Sequence, residues 1–466
     1  DGASFEDTAI VKCELPEAQF KGATLTKFHL DTSLLPGADF SNVTATEATF
    51  SKADLTGARF NGATLDKAMF PAANLTGASF EGATLENSVF MAANLTGTHL
   101  SKNMVFCVFN EAYVLPAGTE PADDIDPTEW PLDLSGYDFR GANLERCVLS
   151  GAILRGADFR EANLEGILLN DCDLTDAQFE GANLFRSMLK GSKLPGADFR
   201  GQKIRLGMWM ETDLSGADFS GAQVDLTMMQ EANLNGANLK HAVFENMILD
   251  KAQFEGLIVD KTRFDRVGFE KLDMRSFPFD GLTMTRCDFR ECNLSGMHIK
   301  DCNLSMSNFS EADLSGITLE NCSIKMATAK EAKLDGANLR GVNAKGVFFG
   351  ESSLKGVNFS ESKLRYSIFT GSDLSKALFI KADLRDAMID KTTAHETCFQ
   401  SARLVWADLS HTDATGADFS MANAFGARVH NLKDKNANYE GTITLLQRTT
   451  DLAKLEAEAY NPAKAT

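Results

Sequence analysis

Residues 134–159 read LSGYDFRGANLERCVLSGAILRGADF. A bulky apolar residue returns at every fifth position: Leu134, Phe139, Leu144, Leu149, Leu154 and Phe159. Two residues before most of these centres stands a small one, as at Ala142, Cys147, Ala152 and Ala157. A period of five fits neither an α-helix near 3.6 residues per turn nor a strand near 2. A small and a large apolar side chain two apart can both point to one side of a short extended segment. The polar residues and Gly between them then make a corner.

The pattern extends both ways. It runs from Phe5 to Leu100, and again from Leu134 to Val429, in about 80 units. Trp209, Ala45, Ala329, Ala344, Ala394, Ala414 and Ala424 are the unusual centres. The chain of 466 residues holds 33 Phe but 5 Tyr and 3 Trp, which predicts one recurring aromatic slot with no room for a polar tip. Phe139, Phe159, Phe179, Phe199 and Phe219 lie 20 apart, as do Phe20, Phe40, Phe60 and Phe80, so residues 20 apart are expected to stack.

The unit Ala53, Asp54, Leu55, Thr56, Gly57 resembles the A(D/N)LxX motif of the pentapeptide-repeat family. The resemblance implies an all-β fold, a right-handed quadrilateral β-helix with four pentapeptides per coil and about 20 coils. The expected organisation is a first β-helix block over 1–100, a Pro-rich and acidic insertion loop over 101–133, a second block over 134–430, and a degenerate repeat with a C-terminal capping helix over 431–466. In the insertion, Met104, Val105, Phe106, Val108 and Phe109 are too apolar for a solvated linker and are expected to pack on a coil. Its Asp123, Asp124, Asp126 and Glu129 lack EF-hand order and read as a plain acidic loop. The helix is expected over Thr442–Tyr460, with Leu445, Leu446, Leu452, Leu455 and Ala459 on one face. Phe5 is already a repeat centre, so an upstream domain is expected in a longer parent protein.

A net charge of −19 argues against general nucleic-acid binding. No apolar run approaches the ~18 residues that a membrane span needs. Cys13, Cys147, Cys172, Cys287, Cys292, Cys302 and Cys322 fall in the small inward slot, whereas Cys107 and Cys398 do not. The first seven read as small core residues, which favours a reducing, cytoplasmic compartment, or one from which an effector is delivered. His29, His99, His241, His298, His395, His411 and His430 form no HExxH and no ligand pair. With no P-loop, dinucleotide fingerprint or nucleophile elbow either, the expectation is a non-enzyme without cofactor or metal.

The residue before each centre points outward, and sorting these by period 20 gives four columns. Three are mostly polar: Asp138, Asp158, Gln178, Asp198; Asn143, Asn163, Asn183, Lys203; and Ile153, Asp173, Lys193, Asp213. The fourth is apolar: Val148, Leu168, Met188, Met208, Met228 and Ile248, with Trp209 and Met210 beside it. It lapses at Gly268, Asp288, Asn308 and Thr328 and returns as Phe348, Ile368 and Met388. These eight residues, Val148 to Ile248 with Trp209 and Met210, are the expected binding surface for a protein partner. Cover from within by the insert around Phe106 and Phe109, or a homodimer contact, are the other uses of the stripe. The expected function is a rod-like scaffold, part of a larger bacterial protein, secretion-associated or an effector. The family resemblance also implies an alternative, a DNA mimic acting on a type II topoisomerase. Against it, Arg140, Arg160 and Arg200 offset Asp138, Asp158 and Asp198.

Overall fold

The computed structural model describes residues 2–116, 118–119, 129–445, 447 and 449–459. They fall into two compact units: unit 1, Asp1–Ala242 with Ala252–Ile258, and unit 2, Val243–Lys251 with Val259–Thr466. Both are quadrilateral β-solenoids with parallel ladders.

In unit 1, strands β1 (Ser4–Glu6), β2 (Thr24–Thr26), β3 (Thr44–Thr46), β4 (Thr64–Asp66), β5 (Thr84–Glu86) and β6 (Met104–Val105) form one parallel sheet. Phe5 pairs with Leu25, Leu25 with Ala45 and Ala45 with Leu65, so each coil takes 20 residues. The other three sides are ladders of single bridges, such as Asp39↔Arg59, Asn74↔Asn94 and Leu168↔Met188. Strands β7 (Lys203–Arg205) and β8 (Gln223–Asp225) pair in the same way.

In unit 2, β9 (Val243–Ile248), β10 (Arg263–Gly268) and β11 (Thr283–Thr285) pair in parallel, as do β12 (His298–Lys300) and β13 (Thr318–Glu320). Single bridges carry the ladder on to Asn423↔Ile443.

The aromatic slot is filled as the spacing predicts. Phe20, Phe40, Phe60 and Phe80 stack with centroids 4.8, 4.8 and 4.7 Å apart. Phe139, Phe159, Phe179, Phe199 and Phe219 stack at 5.1, 5.4, 5.6 and 5.0 Å. In unit 2, Phe359, Phe379, Phe399 and Phe419 do the same at 5.2, 5.2 and 5.0 Å. The Asp/Asn preference also has a cause. Asn74 Oδ1 accepts the Thr76 N–H at 3.2 Å, which fixes the corner, while Asn94 Nδ2 donates to Asn74 Oδ1 at 3.3 Å, which links two coils.

Two expectations are corrected here. Residues 101–115 are not looped out but continue the solenoid. Met104 pairs with Leu85, a step of 19, and Phe109 stacks on Phe90 at 4.8 Å. One corner is a residue short: Ser101 turns inward, and its hydroxyl donates to the Ala83 carbonyl. This slip places Cys107 in the small slot, fully buried. The acidic run Asp123, Asp124 and Asp126 lies outside the described residues.

The terminal helix is also shorter than expected. Helix α1 spans Leu452–Ala459, and the ladder persists to Ile443. Leu445 and Leu452 are exposed, while Leu446 lies outside the described residues. Asp451 caps the helix, accepting the Lys454 N–H at 3.2 Å. No helix among the described residues is long and apolar enough to cross a membrane.

Candidate functional site

The outward column of unit 1 that includes Val148 is a continuous ladder, Met69, Val89, Val108, Val148, Leu168, Met188, Met208 and Met228, each bridged to the next. All are partly exposed, Met69 by 42%. At ~4.8 Å per rung the apolar line is about 34 Å long. The one-residue slip before Met104 put Met69 and Val89 out of phase with Val148, and Val108 fell within the stretch expected to be an insertion. Ile248 belongs to unit 2, where it is partly exposed and pairs with Gly268.

Trp209 leaves the predicted site. It fills a core slot, fully buried, its indole Nε1–H donating to Ser187 Oγ at 3.0 Å and its ring 5.3 Å from Phe199. Gly207 makes the room: a side chain there would come within 2.8 Å of the indole nitrogen. Met210 stays at the surface, on the corner that follows Met208. The insert does not lie over the stripe at Phe106 and Phe109. Phe109 points into the core, and Phe106 sits on a corner with the Arg146 guanidinium 5.0 Å from its ring.

Leu206 and Leu226 join the surface. They occupy the corner just before Met208 and Met228, with φ of 59° and 50°, a conformation that costs a non-glycine residue energy. Leu226 is 41% exposed. Their signal was present in the sequence as Leu at a corner position usually given to Gly or a polar residue.

The opposite character holds on the Asp138 column. Arg140 Nε lies 2.9 Å from Asp138 Oδ1, and Arg160 and Arg200 lie 2.6 Å from Asp158 and Asp198. Hydrogen bonds from Arg140 hold the Asp138 carboxyl well below its usual range. Those carboxylates are therefore paired within the chain.

All nine cysteines are free thiols. Burial pushes Cys172, Cys287 and Cys292 up to about 12. Cys13 and Cys398 are partly exposed. With a thiol-reactive disulfide reagent at neutral pH, these two should react first. The other seven should react only as the coils open. Rapid native labelling of Cys287 or Cys292 would contradict the assignment.

The structure brings together one His pair that the sequence did not show. His411, His430 and Glu458 have ligand atoms within 4.8 Å of one another. His411 Nε2 and His430 Nε2 lie 3.2 and 3.3 Å from Glu458 Oε2. The Asp451 backbone N–H donates to His430 Nδ1 at 3.1 Å, which leaves the His430 proton on Nε2, aimed at Glu458. A metal-ligating imidazole needs the reverse arrangement, so the cluster serves to tether α1 to the last coil.

The sequence profile described as pentapeptide repeats (8 copies) matches residues 29–62, 72–102, 133–166, 162–201, 229–266, 367–404 and 402–433, more than half of the chain. A second profile, pentapeptide repeat region, matches 282–359. The chain belongs to the pentapeptide repeat family.

Among solved structures it is similar to HetL of Nostoc sp. strain PCC 7120, a pentapeptide repeat protein involved in heterocyst differentiation regulation. The identity is 22% over 57% of this chain and 91% of that one, with a TM-score of 0.23. It is also similar to QnrB1, a plasmid-mediated fluoroquinolone resistance protein, at 21% identity over 41% and 94%, TM-score 0.22. A pentapeptide repeat protein of the Arabidopsis thaliana thylakoid lumen matches at 28% over 26% and 74%, TM-score 0.14. No curated protein sequence matches. None of these likenesses carries a function across.

Proposed function

We propose that the protein is a non-catalytic scaffold that binds a protein partner along the apolar ladder of unit 1, Val148 to Met228 with Met210 beside it. The carrying observation is the run of eight apolar rungs from Met69 to Met228 on one side, while the Asp138, Asn143 and Asp173 columns are mostly polar. Met suits such a surface because its side chain adapts to a partner's shape. Leu206 and Leu226, held at strained corners, widen the ladder. Each side chain buried by a partner contributes about 1.5–3 kcal/mol, so four or five suffice for useful affinity after the costs of association. Free buried thiols favour a reducing compartment such as the cytoplasm. The Asp–Arg pairing along the Asp138 column weighs against the DNA-mimic reading, because a mimic needs unpaired negative charge.

The test is the triple variant Met188→Asp, Met208→Asp and Met228→Asp. Asp is a residue this repeat accepts at the outward position, so the thermal melting profile should not change. Cross-linking in cell extract should lose the partners that the parent chain captures. If the parent is a dimer and the variant a monomer, the ladder is a self-contact. If only protease sensitivity over 116–133 rises, the ladder is covered from within. A variant that keeps every partner removes the proposal.

A further inference from the structure

One corner column of unit 2 reverses the charge of the chain. Lys325, Lys345, Arg365 and Arg385 each follow a buried centre: Ile324, Ala344, Leu364 and Leu384. The bridges Ser323↔Asn343, Asn343↔Lys363 and Lys363↔Asp383 hold them in register. The corner itself is tied by Met326 N–H to the Lys345 carbonyl at 2.9 Å, Gly346 N–H to Arg365 at 2.9 Å and Tyr366 N–H to Arg385 at 3.1 Å. Four cations therefore stand on successive rungs. Lys363 and Arg403 lie on the adjoining side. The carboxylates among them are Asp386, 3.0 Å from Arg365, and Asp383, 2.6 Å from Arg385. Among the described residues, Lys325, Lys345 and Lys363 have no ion-pair partner. In a chain of net charge −19 this is a cationic band.

The other flank of the same corner is apolar. Phe348, Ile368 and Met388 are consecutive rungs, Met388 exposed by 43%. Met326 and Tyr366, exposed by 55% and 46%, occupy the corner with φ of 55° and 62°. Gly346 and Gly426 take the same conformation in that column without strain. Tyr366 marks the seam. Its ring has the Arg365 guanidinium at 4.5 Å and the Lys345 ammonium at 5.7 Å. Trp406, two rungs on from Tyr366, continues the exposed aromatic edge at 47%.

We propose that this corner docks an acidic amphipathic helix of another protein, its carboxylates against Lys325, Lys345 and Arg365 and its apolar face on Phe348, Ile368 and Met388. Charge complementarity selects an acidic partner. The spacing selects a helix. Rungs lie ~5 Å apart, close to the 5.4 Å turn of an α-helix, so side chains at i, i+4 and i+7 can follow the column. An extended strand repeats its side chains every ~6.7 Å on one face and falls out of step within two rungs. Strand addition is also closed here, because the backbone groups at these corners already bond the next coil. A nucleic acid would use the cations but leave the apolar flank uncovered. The residues of this surface all lie in unit 2, and none is shared with the ladder of unit 1.

The test is fluorescence anisotropy of the full chain with three labelled probes. The first is a synthetic peptide of about 21 residues, with Leu at heptad a and d positions and Glu flanking them. The second is the same peptide with Lys for Glu. The third is single-stranded DNA of about the same length. The Glu peptide should bind, and its affinity should fall about tenfold or more between about 50 and 300 mM salt. The Lys peptide should not bind. The double variant Lys325→Glu and Lys345→Glu should lose about tenfold or more, and so should Phe348→Asp with Met388→Asp. Asp at Met188, Met208 and Met228 should change nothing here, so failure of the unit 1 reading remains distinguishable. The proposal is overturned if the Glu peptide fails to bind, if the Lys peptide matches it, or if either double variant binds as the parent does. DNA binding that survives Phe348→Asp with Met388→Asp, in the absence of Glu-peptide binding, would make the band a polyanion surface instead.

Discussion

Replacing Arg286 with Met should destabilise unit 2 by about 3 kcal/mol. The reason is Asp265, whose side chain is 1% exposed. Arg286 Nε donates to its Oδ1 at 2.8 Å, Thr285 Oγ1 donates at 2.7 Å, and Arg266 Nη1 lies at 3.4 Å. Burial pushes the Asp265 carboxyl up, but the hydrogen bonds from Arg286 and Thr285 outweigh it, and the group ends below its usual value. Removing Arg286 leaves a buried carboxylate with weaker support. The figure sits at the low end for a broken buried pair because Arg266 remains and Arg286 is itself 41% exposed.

The pH dependence has a definite sign. A carboxyl whose folded pKa is depressed contributes stability above its unfolded value of ~3.9, and that contribution is lost as pH falls through the folded value. The parent should therefore lose stability on strong acidification by more than the variant does. Adding Asp265→Asn to Arg286→Met should restore part of the loss at neutral pH, since no charge is then buried. Urea unfolding, with hydrogen exchange over β9–β11, reads both effects. An unchanged midpoint for Arg286→Met would show that Asp265 is not held by this pair.

The repeat was legible because a period of five leaves no alternative. Phe20 to Phe80 and Phe139 to Phe219 could be placed in columns from spacing alone, and they stack as placed. What misled was anything that broke or masked the count. The shortened corner at Ser101 shifted the phase by one, so Met104, Cys107, Val108 and Phe109 read as an insert when they are a coil. Trp209 held a centre position in plain view. Its place next to Met208 put it with the expected binding surface, although Gly207 two residues earlier makes space for it in the core. The corner residues Leu206 and Leu226 lie two positions after a centre, outside the columns formed by the residue before each centre, so those columns do not reveal them. The cation column Lys325 to Arg385 is concealed in a different way: a net charge of −19 over the whole chain masks a local reversal of sign. The His411–Glu458 contact required a helix docked on the last coil, which no spacing rule supplies.

The largest loss from a single substitution in unit 1 should come from Phe60→Ala, at about 4–5 kcal/mol, with Phe179→Ala near about 3 kcal/mol. Both side chains are fully buried in the same type of slot, so burial alone predicts equal costs. Their neighbours differ. Phe60 stacks on Phe40 at 4.8 Å and on Phe80 at 4.7 Å, and also meets Phe50 and Phe70 edge-on at 5.8 and 5.6 Å. Phe179 has two stacked partners, Phe159 at 5.4 Å and Phe199 at 5.6 Å. Each well-placed aromatic pair adds about 0.5–1.5 kcal/mol beyond area, and a looser stack closes more readily over a missing ring. Because solenoid coils couple to their neighbours, each loss should centre on the substituted coil, seen as faster hydrogen exchange near residues 40–80 or 159–199. Denaturation of the two variants should give the order Phe60→Ala below Phe179→Ala below parent. Equal midpoints would mean that apolar area, and not the two crossed ring columns, sets the stability of the first coils.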